Sequence, residues 1–165
     1  MTGVVAWFTG LPSSGKSTLA AAVAGELRLR DLAAVTLDSD AVRAAVMPTL
    51  GYDEAARAEF YAALASLAAL IARQGFIVLV PATAHRRAFR DHARSLAPAY
   101  LEIFVDTPLD VCKRRDTKGV YQHALAPGVG VEYEPPTTPD VRVEIEDGAA
   151  AAAIATMIAS RHEAR

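Results

Sequence analysis

The sequence predicts an α/β fold: a parallel sheet of about five strands with helices on both faces, a three-layer sandwich. Three observations predict it. Short apolar runs alternate with helix-periodic stretches along most of the chain, one run (Phe76-Ile77-Val78-Leu79-Val80) is apolar without a break, and a glycine-bracketed loop follows the first run. Strands separated by crossover helices lie parallel and are covered on both sides. A strand covered on both faces has no polar side, which accounts for the unbroken run.

The elements follow in order. Val4–Phe8 forms the first strand and Lys16–Arg28 the first helix. Ala34–Leu37 is the second strand, followed by a long helical pattern through Asp53–Gln74. Phe76–Val80 is the third strand, with a helix over Arg86–Leu96. Tyr100–Val105 is the fourth, with a helix over Pro108–Arg115, and Val141–Ile145 and Ala149–Ser160 supply the last pair. Asp116 to Asp140 breaks the alternation with three glycines, four prolines and no helical period. A connection this long suits a mobile lid. The chain therefore reads as a single domain over 1–165 with a lid at approximately 116–140. In such sheets ligands bind at the carboxyl ends of the strands, here the loops after Phe8, Leu37, Val80 and Val105.

Composition narrows the function. A net charge of −2 over 165 residues, with lysines and arginines scattered, offers no basic field for nucleic acid. The single cysteine, Cys112, can form neither an internal disulfide nor a CxxC metal site. The opening MTGVVAWFTG lacks the basic and apolar regions of a signal peptide, and no apolar run reaches membrane-helix length. The expectation is a cytoplasmic protein acting on a small molecule, without nucleic-acid or membrane partners, and compatible with a homodimer.

Gly10-Leu11-Pro12-Ser13-Ser14-Gly15-Lys16-Ser17-Thr18 matches the P-loop pattern and sits between a strand and a helix. Glycines let main-chain N–H groups turn toward phosphate oxygens, and the helix start adds its positive dipole end. Lys16 reaches the β- and γ-phosphates of a bound ATP, and the Ser17 hydroxyl ligates Mg²⁺. The fold is thus of the P-loop NTPase type. The chain contains no asparagine, so the Asn-Lys-x-Asp element of guanine-binding switches is absent. The third strand ends in Pro81-Ala82-Thr83 rather than the acid of an ATPase motor, which leaves a small-molecule kinase.

Asp38-Ser39-Asp40, with Arg43 one turn on, follows the second strand. Two carboxylates at a strand end can organise a metal-bound water and accept a proton from an attacking hydroxyl, and Arg43 can clamp an anionic acceptor. The competing reading makes Asp40 a simple helix cap. Lys118, beside Gly119 at the start of the lid, can swing over a transferring phosphoryl group, or it can be an ordinary solvated charge. Phe60 and Tyr61 either line the acceptor pocket or pack in the core, and Arg115 is placed to lie against the ATP adenine. Trp7, Phe8 and Cys112 read as packing residues. His85, His92, His123 and His162 lack metal-ligand spacing and read as surface polar groups.

These motifs, in this order, resemble the adenylylsulfate (APS) kinase family. The resemblance rests on the P-loop, on Asp38-x-Asp40-x-x-Arg43, on Leu50-Gly51-Tyr52, on Val105-Asp106-Thr107-Pro108-Leu109 with Cys112, and on Arg115-Asp116-x-Lys118-Gly119-x-Tyr121. Tyr133-Glu134-x-Pro136 is similar to a later family element, Pro-Tyr-Glu-x-Pro. The resemblance implies ATP- and Mg²⁺-dependent phosphorylation of the 3′-hydroxyl of adenylylsulfate, giving PAPS. It implies Asp40 as base, Asp38 in the metal shell through water, and Lys16 and Lys118 on the phosphoryl group. Arg43, Arg57, Lys118 and Tyr121 would join Asp40 around the acceptor, and Phe60 is a further candidate there on this chain's own pattern.

The acceptor side departs from that pattern. The family's Ile-Ser-Pro-Phe-Arg, followed by an arginine three residues on, stands against Pro81-Ala82-Thr83-Ala84-His85-Arg86-Arg87; with Arg87 as the later arginine, Ala84 takes the earlier position. Glu-Asn-x-x-Arg becomes Glu59-Phe60-Tyr61-Ala62-Ala63, and the lid, shorter than the family's, carries Ala126–Val131 in place of Phe-Thr-Gly-Ile-Asp. Two alternatives stay open: a related kinase with another nucleotide-like or small hydroxyl acceptor, and a nucleotide-binding module without transfer activity.

Overall fold

A computed structural model describes residues 1–144 and 149–164. Five parallel strands form one sheet: β1 (Val4–Thr9), β2 (Ala34–Thr36), β3 (Ile77–Pro81), β4 (Tyr100–Val105) and β5 (Val141–Val143). Their order is β2-β3-β1-β4-β5, so β1 is central, with Trp7 level with Val80 on one side and Glu102 on the other. The remainder of the expected fifth strand, through Ile145, lies outside the described residues.

Side-chain alternation along β1 divides the core. Val4, Ala6 and Phe8 point toward α1 (Lys16–Arg28) and α6 (Ala150–Glu163). Val5 and Trp7 point toward α3 (Glu54–Ala72) and α4 (Arg87–Leu96). All six β1 residues are buried, which is why the strand has no polar face. By length and composition α3 is apolar enough to cross a membrane, contrary to the sequence expectation. The residues responsible include Phe60, Leu64, Ala65 and Ala68, which pack on the sheet instead.

Two short helices, α2 (Ser39–Val46) and α5 (Leu109–Arg114), follow β2 and β4. The sequence anticipated α2 only as the continuation of a cap. Its N-cap is Asp38 rather than Asp40: the Asp38 carboxylate accepts from the Asp40 and Ala41 N–H groups, at 3.0 and 3.5 Å. The 116–140 segment is irregular apart from one 3₁₀ turn at Val120–Gln122. It leaves α5, crosses the carboxyl ends of β1 and β4, and returns to β5.

Candidate active site

The phosphate loop is shaped by close main-chain approach. Gly10 has φ +157°, and a Cβ there would lie 2.5 Å from the Val105 carbonyl oxygen. Ser13 adopts φ +61°, a conformation uncommon outside glycine. At the start of α1, Gly15 offers no side-chain cap and the first turn holds no acid, which leaves the helix's leading N–H groups to an anion. Lys16 is 9 % exposed, and its Nζ donates to the carbonyls of Gly10 at 3.1 Å and Leu11 at 2.7 Å. Burial lowers its pKa to about 8. Thr107 Oγ1 donates to the Ser14 carbonyl at 2.7 Å and braces the loop from behind. Thr18 is exposed on the first turn of α1.

The tip of β2 joins this loop. Ser17 Oγ donates to Asp38 Oδ2 at 2.5 Å, so the carboxylate that caps α2 also holds the hydroxyl that opens α1. Asp40, on the first turn of α2, pairs with Lys118 of the 116–140 segment at 2.9 Å. Both side chains are about 70 % exposed, so the pair adds little stability. Its importance is positional. The hydrogen bond that Lys118 donates to Asp40 raises the Lys118 pKa, and the Asp40 and Asp38 carboxylates both act on Lys16 electrostatically. Lys16, Asp38, Asp40 and Lys118 therefore share one cleft.

Tyr121 belongs to the loop side of this cleft. Its hydroxyl donates to the Pro12 carbonyl at 2.6 Å, so its reach is to the phosphate loop, away from Arg43 and Arg57. Asp116 orders the turn beneath it by accepting from the Val120 and Tyr121 N–H groups, each at 2.9 Å. Arg115 ends α5 with its side chain exposed, and Cys112 is buried as expected.

The opposite wall gathers Arg43, Arg57, Tyr52 and Phe60. Arg57 is 7 % exposed, donating from Nε to the Tyr52 carbonyl and from Nη2 to the Leu125 carbonyl, both at 2.7 Å. It thereby ties the 116–140 segment to α3. Arg43 Nη1 donates to the carbonyls of Leu50 and Gly51. Phe60 is 2 % exposed and lies under Arg43, so it lines the wall from behind rather than at its surface. Tyr61 packs on Phe89 in the α3–α4 core.

The loop after β3 holds groups that the sequence reading passed over. Ala84 is buried with φ +41°, a strained backbone for alanine. His85 and His162 are buried, not surface groups. His85 Nε2 lies 3.3 Å from Glu54 Oε2, and burial lowers the His85 pKa, which favours a neutral ring. Arg90, 1 % exposed, donates to the carbonyls of Ala84 at 2.5 Å and Glu134 at 2.6 Å, and sits 3.5 Å from Glu102. Arg87 and Arg90 are themselves three residues apart, a signal for Arg90 that the sequence carried. Glu134 also accepts from the Arg87 N–H at 2.8 Å, and its own N–H donates to the His85 carbonyl. Because Thr9 Oγ1 donates to the Thr83 carbonyl, the Tyr133 hydroxyl is left to donate to Thr9, at 2.9 Å; burial raises its pKa to about 12. Tyr133-Glu134 thus buckles the far end of the segment to β1 and α4.

A cavity of about 560 Å³ lies behind the segment, between residues 104–109 and 128–135. Leu11 lines it, and Lys16, Asp38, Asp40 and Lys118 do not. Gly128, at φ +90°, packs so closely there that a Cβ would fall 2.7 Å from Leu11 Cδ2.

Comparison with known proteins follows the same lines. The family model of adenylylsulphate kinase matches residues 2–144. An adenylyl-sulfate kinase of Synechococcus sp. (strain JA-2-3B'a(2-13)) is 41% identical over 145 residues, covering 84% of this chain and 83% of its own. A probable adenylyl-sulfate kinase of Pseudomonas aeruginosa is 35% identical over 162 residues, covering 94% and 76%. Among solved structures, the Mycobacterium tuberculosis APS kinase CysC in complex with AMPPNP and APS superposes with a TM-score of 0.87 at 34% identity, covering 99% of both chains.

Proposed function

Because this chain belongs to the adenylylsulfate kinase family, we propose that its cleft transfers the γ-phosphoryl group of ATP to the 3′-hydroxyl of adenylylsulfate, yielding PAPS and ADP. The observation that carries this reading is the meeting of Lys118 with Asp40 at 2.9 Å, at the mouth of the phosphate loop that Lys16 occupies. A base, two cations and a phosphate cradle then face one another across a space closed by residues 116–140.

The roles follow from the geometry. Main-chain N–H groups of Gly15–Thr18, at the start of α1, hold the β- and γ-phosphates, and Arg115 flanks the adenine. Asp40 accepts the proton of the acceptor hydroxyl as its oxygen attacks phosphorus, and the β–γ bridging oxygen leaves with ADP. Lys16 and Lys118 balance the charge that spreads over the equatorial oxygens. Ser17 and Asp38 present oxygen donors only, and no cluster of three His, Cys, Asp or Glu side chains occurs among the described residues. That sparse oxygen set suits Mg²⁺, which keeps most of its waters and phosphate oxygens. Ser17 would hold it directly and Asp38 through water; when bound, the ion neutralises phosphate charge. Arg43 and Arg57 receive the acceptor's anionic groups.

The test is Asp40→Asn assayed by coupled ADP release with adenylylsulfate. Turnover should fall about 10²- to 10⁴-fold, the range for a general base. ATP affinity, read by calorimetry, should stay nearly unchanged. Equal loss of binding and turnover would make Asp40 a structural residue. A wild-type enzyme inactive on adenylylsulfate yet active on another hydroxyl-bearing nucleotide would move the acceptor assignment.

A further inference from the structure

Rings and cations alternate in the acceptor wall. The Arg43 guanidinium lies 4.4 Å from the Phe60 ring centroid and 4.4 Å from the Tyr52 centroid, and Arg57 stands 5.9 Å from Tyr52. Arg43 Nη1 uses both its N–H groups, donating to Leu50 at 3.2 Å and Gly51 at 2.9 Å. A guanidinium has five N–H donors. The three left, on Nε and Nη2, have no hydrogen-bond partner among the described residues. They form the side-on edge that matches two oxygens of a sulfate, phosphate or carboxylate.

Phe60 contributes to this arrangement in a particular way. It is 2 % exposed, and its ring centroid lies 5.4 Å from that of Tyr61 in an edge-to-face arrangement. It stands where the family pattern carries an asparagine, whose amide could bond an acceptor; a phenyl ring cannot. What the ring can do is hold a cation flat over its face. Turning the guanidinium out of that plane would lose two carbonyl bonds and both ring contacts together.

We infer that Phe60 is a positioning residue for the acceptor's anionic group, acting through Arg43: it locks the guanidinium so that the Nε–Nη2 edge stays open to two acceptor oxygens. The inference takes adenylylsulfate as the acceptor from the reading above. It predicts that affinity depends on the ring of Phe60 rather than on its volume.

Phe60→Leu removes the ring and Phe60→Tyr keeps it. With saturating ATP, Phe60→Leu should raise KM for adenylylsulfate about 5- to 30-fold while kcat stays within about twofold, and Phe60→Tyr should retain the wild-type KM. An unchanged KM in Phe60→Leu, or equal losses in both variants, would overturn the inference. Should Phe60→Leu fail to fold, Phe60→Met replaces it with the same expectations. A second measurement needs no acceptor: ¹⁵N NMR of Arg43 should resolve separate Nη signals in the wild type and one averaged signal in Phe60→Leu. Signals that stay separate without the ring would also overturn it. A wild type that never turns over adenylylsulfate would defeat the functional reading alone, and the Arg43 spectra would still decide the role of Phe60.

Discussion

Lys16 finds its oxygen partners within six residues of itself, whereas Arg57 reaches across 68 residues to Leu125, and Arg90 across 44 to Glu134. The donor side of the cleft is a local object: one loop, one helix start and one strand end, braced by Thr107. The acceptor side is assembled from α2, α3, the loop after β3 and the far end of the 116–140 segment. A locally determined site survives drift elsewhere in the chain. A site assembled from distant pieces changes whenever one of them does, and here three have changed, at Phe60, Ala84 and Ala126. The chain therefore preserves phosphoryl transfer in an ordinary form while recognising its acceptor with altered parts.

The largest effect should come from breaking the donor side. Lys16→Ala removes the cation nearest the transferring group and should lower kcat about 10³-fold in single-turnover ADP formation. On the acceptor side the loss should fall on binding. Arg57→Ala frees the Tyr52 and Leu125 carbonyls and one anion contact, and should raise KM for adenylylsulfate about 10- to 100-fold, at roughly 1.5–3 kcal/mol per charged hydrogen bond. If Arg57→Ala depressed kcat as severely as Lys16→Ala, the two sides would not be separable as described.

Acidity distinguishes the sides more gently. Lys16 titrates near 8 in the folded protein, below its ordinary 10.5. Beneath pH 8 it is charged before ATP arrives. Above that, binding must take up a proton, so the ATP Kd should weaken by up to about tenfold per pH unit until the pKa of the complex is reached. Over the same window the unfolded chain holds the proton more firmly than the folded one, so the unliganded protein should gain stability as pH rises. Calorimetry across pH 7–10 reads the first effect, and Lys16→Arg, charged throughout, should lack the break.

Two smaller changes sharpen the acceptor side. Ala126, the first residue of the stretch that stands in place of the family's lid phenylalanine element, is 2 % exposed. Ala126→Phe should therefore overpack the site, costing about 1–3 kcal/mol in denaturant unfolding without lowering KM for adenylylsulfate. An improved KM would mean that the shortened segment still has room for an aromatic stack. Gly128→Ala should cost about 1 kcal/mol through its positive φ and the close Leu11 contact. Adding Leu11→Ala should recover only part of this, since the backbone strain remains.

What the sequence disclosed follows the same division. Strand order aside, the sheet and its helices were legible because β1 and β3 carry apolar runs, β4 carries one broken only by Glu102, and α1 opens on a recognisable glycine loop. The donor residues were legible because their spacing is their geometry. Asp38 against Asp40 as cap was not, since both spell a good cap and only the backbone angle at Asp38 decides. His85 read as a surface group and Arg90 was passed over because their burial depends on Glu54 and on the Glu134 carbonyl, tens of residues away. Between pocket lining and core packing for Phe60 the sequence could not choose, because the choice depends on Arg43, which lies over its ring.

The Tyr133-Glu134 buckle has one more consequence. Tyr121 ties the 116–140 segment to Pro12, Leu125 ties it to Arg57, and Tyr133-Glu134 tie it to Thr9, His85 and Arg87, so it is pinned at three points along its length. Loosening the segment therefore requires three separate sets of hydrogen bonds, far apart in sequence, to break.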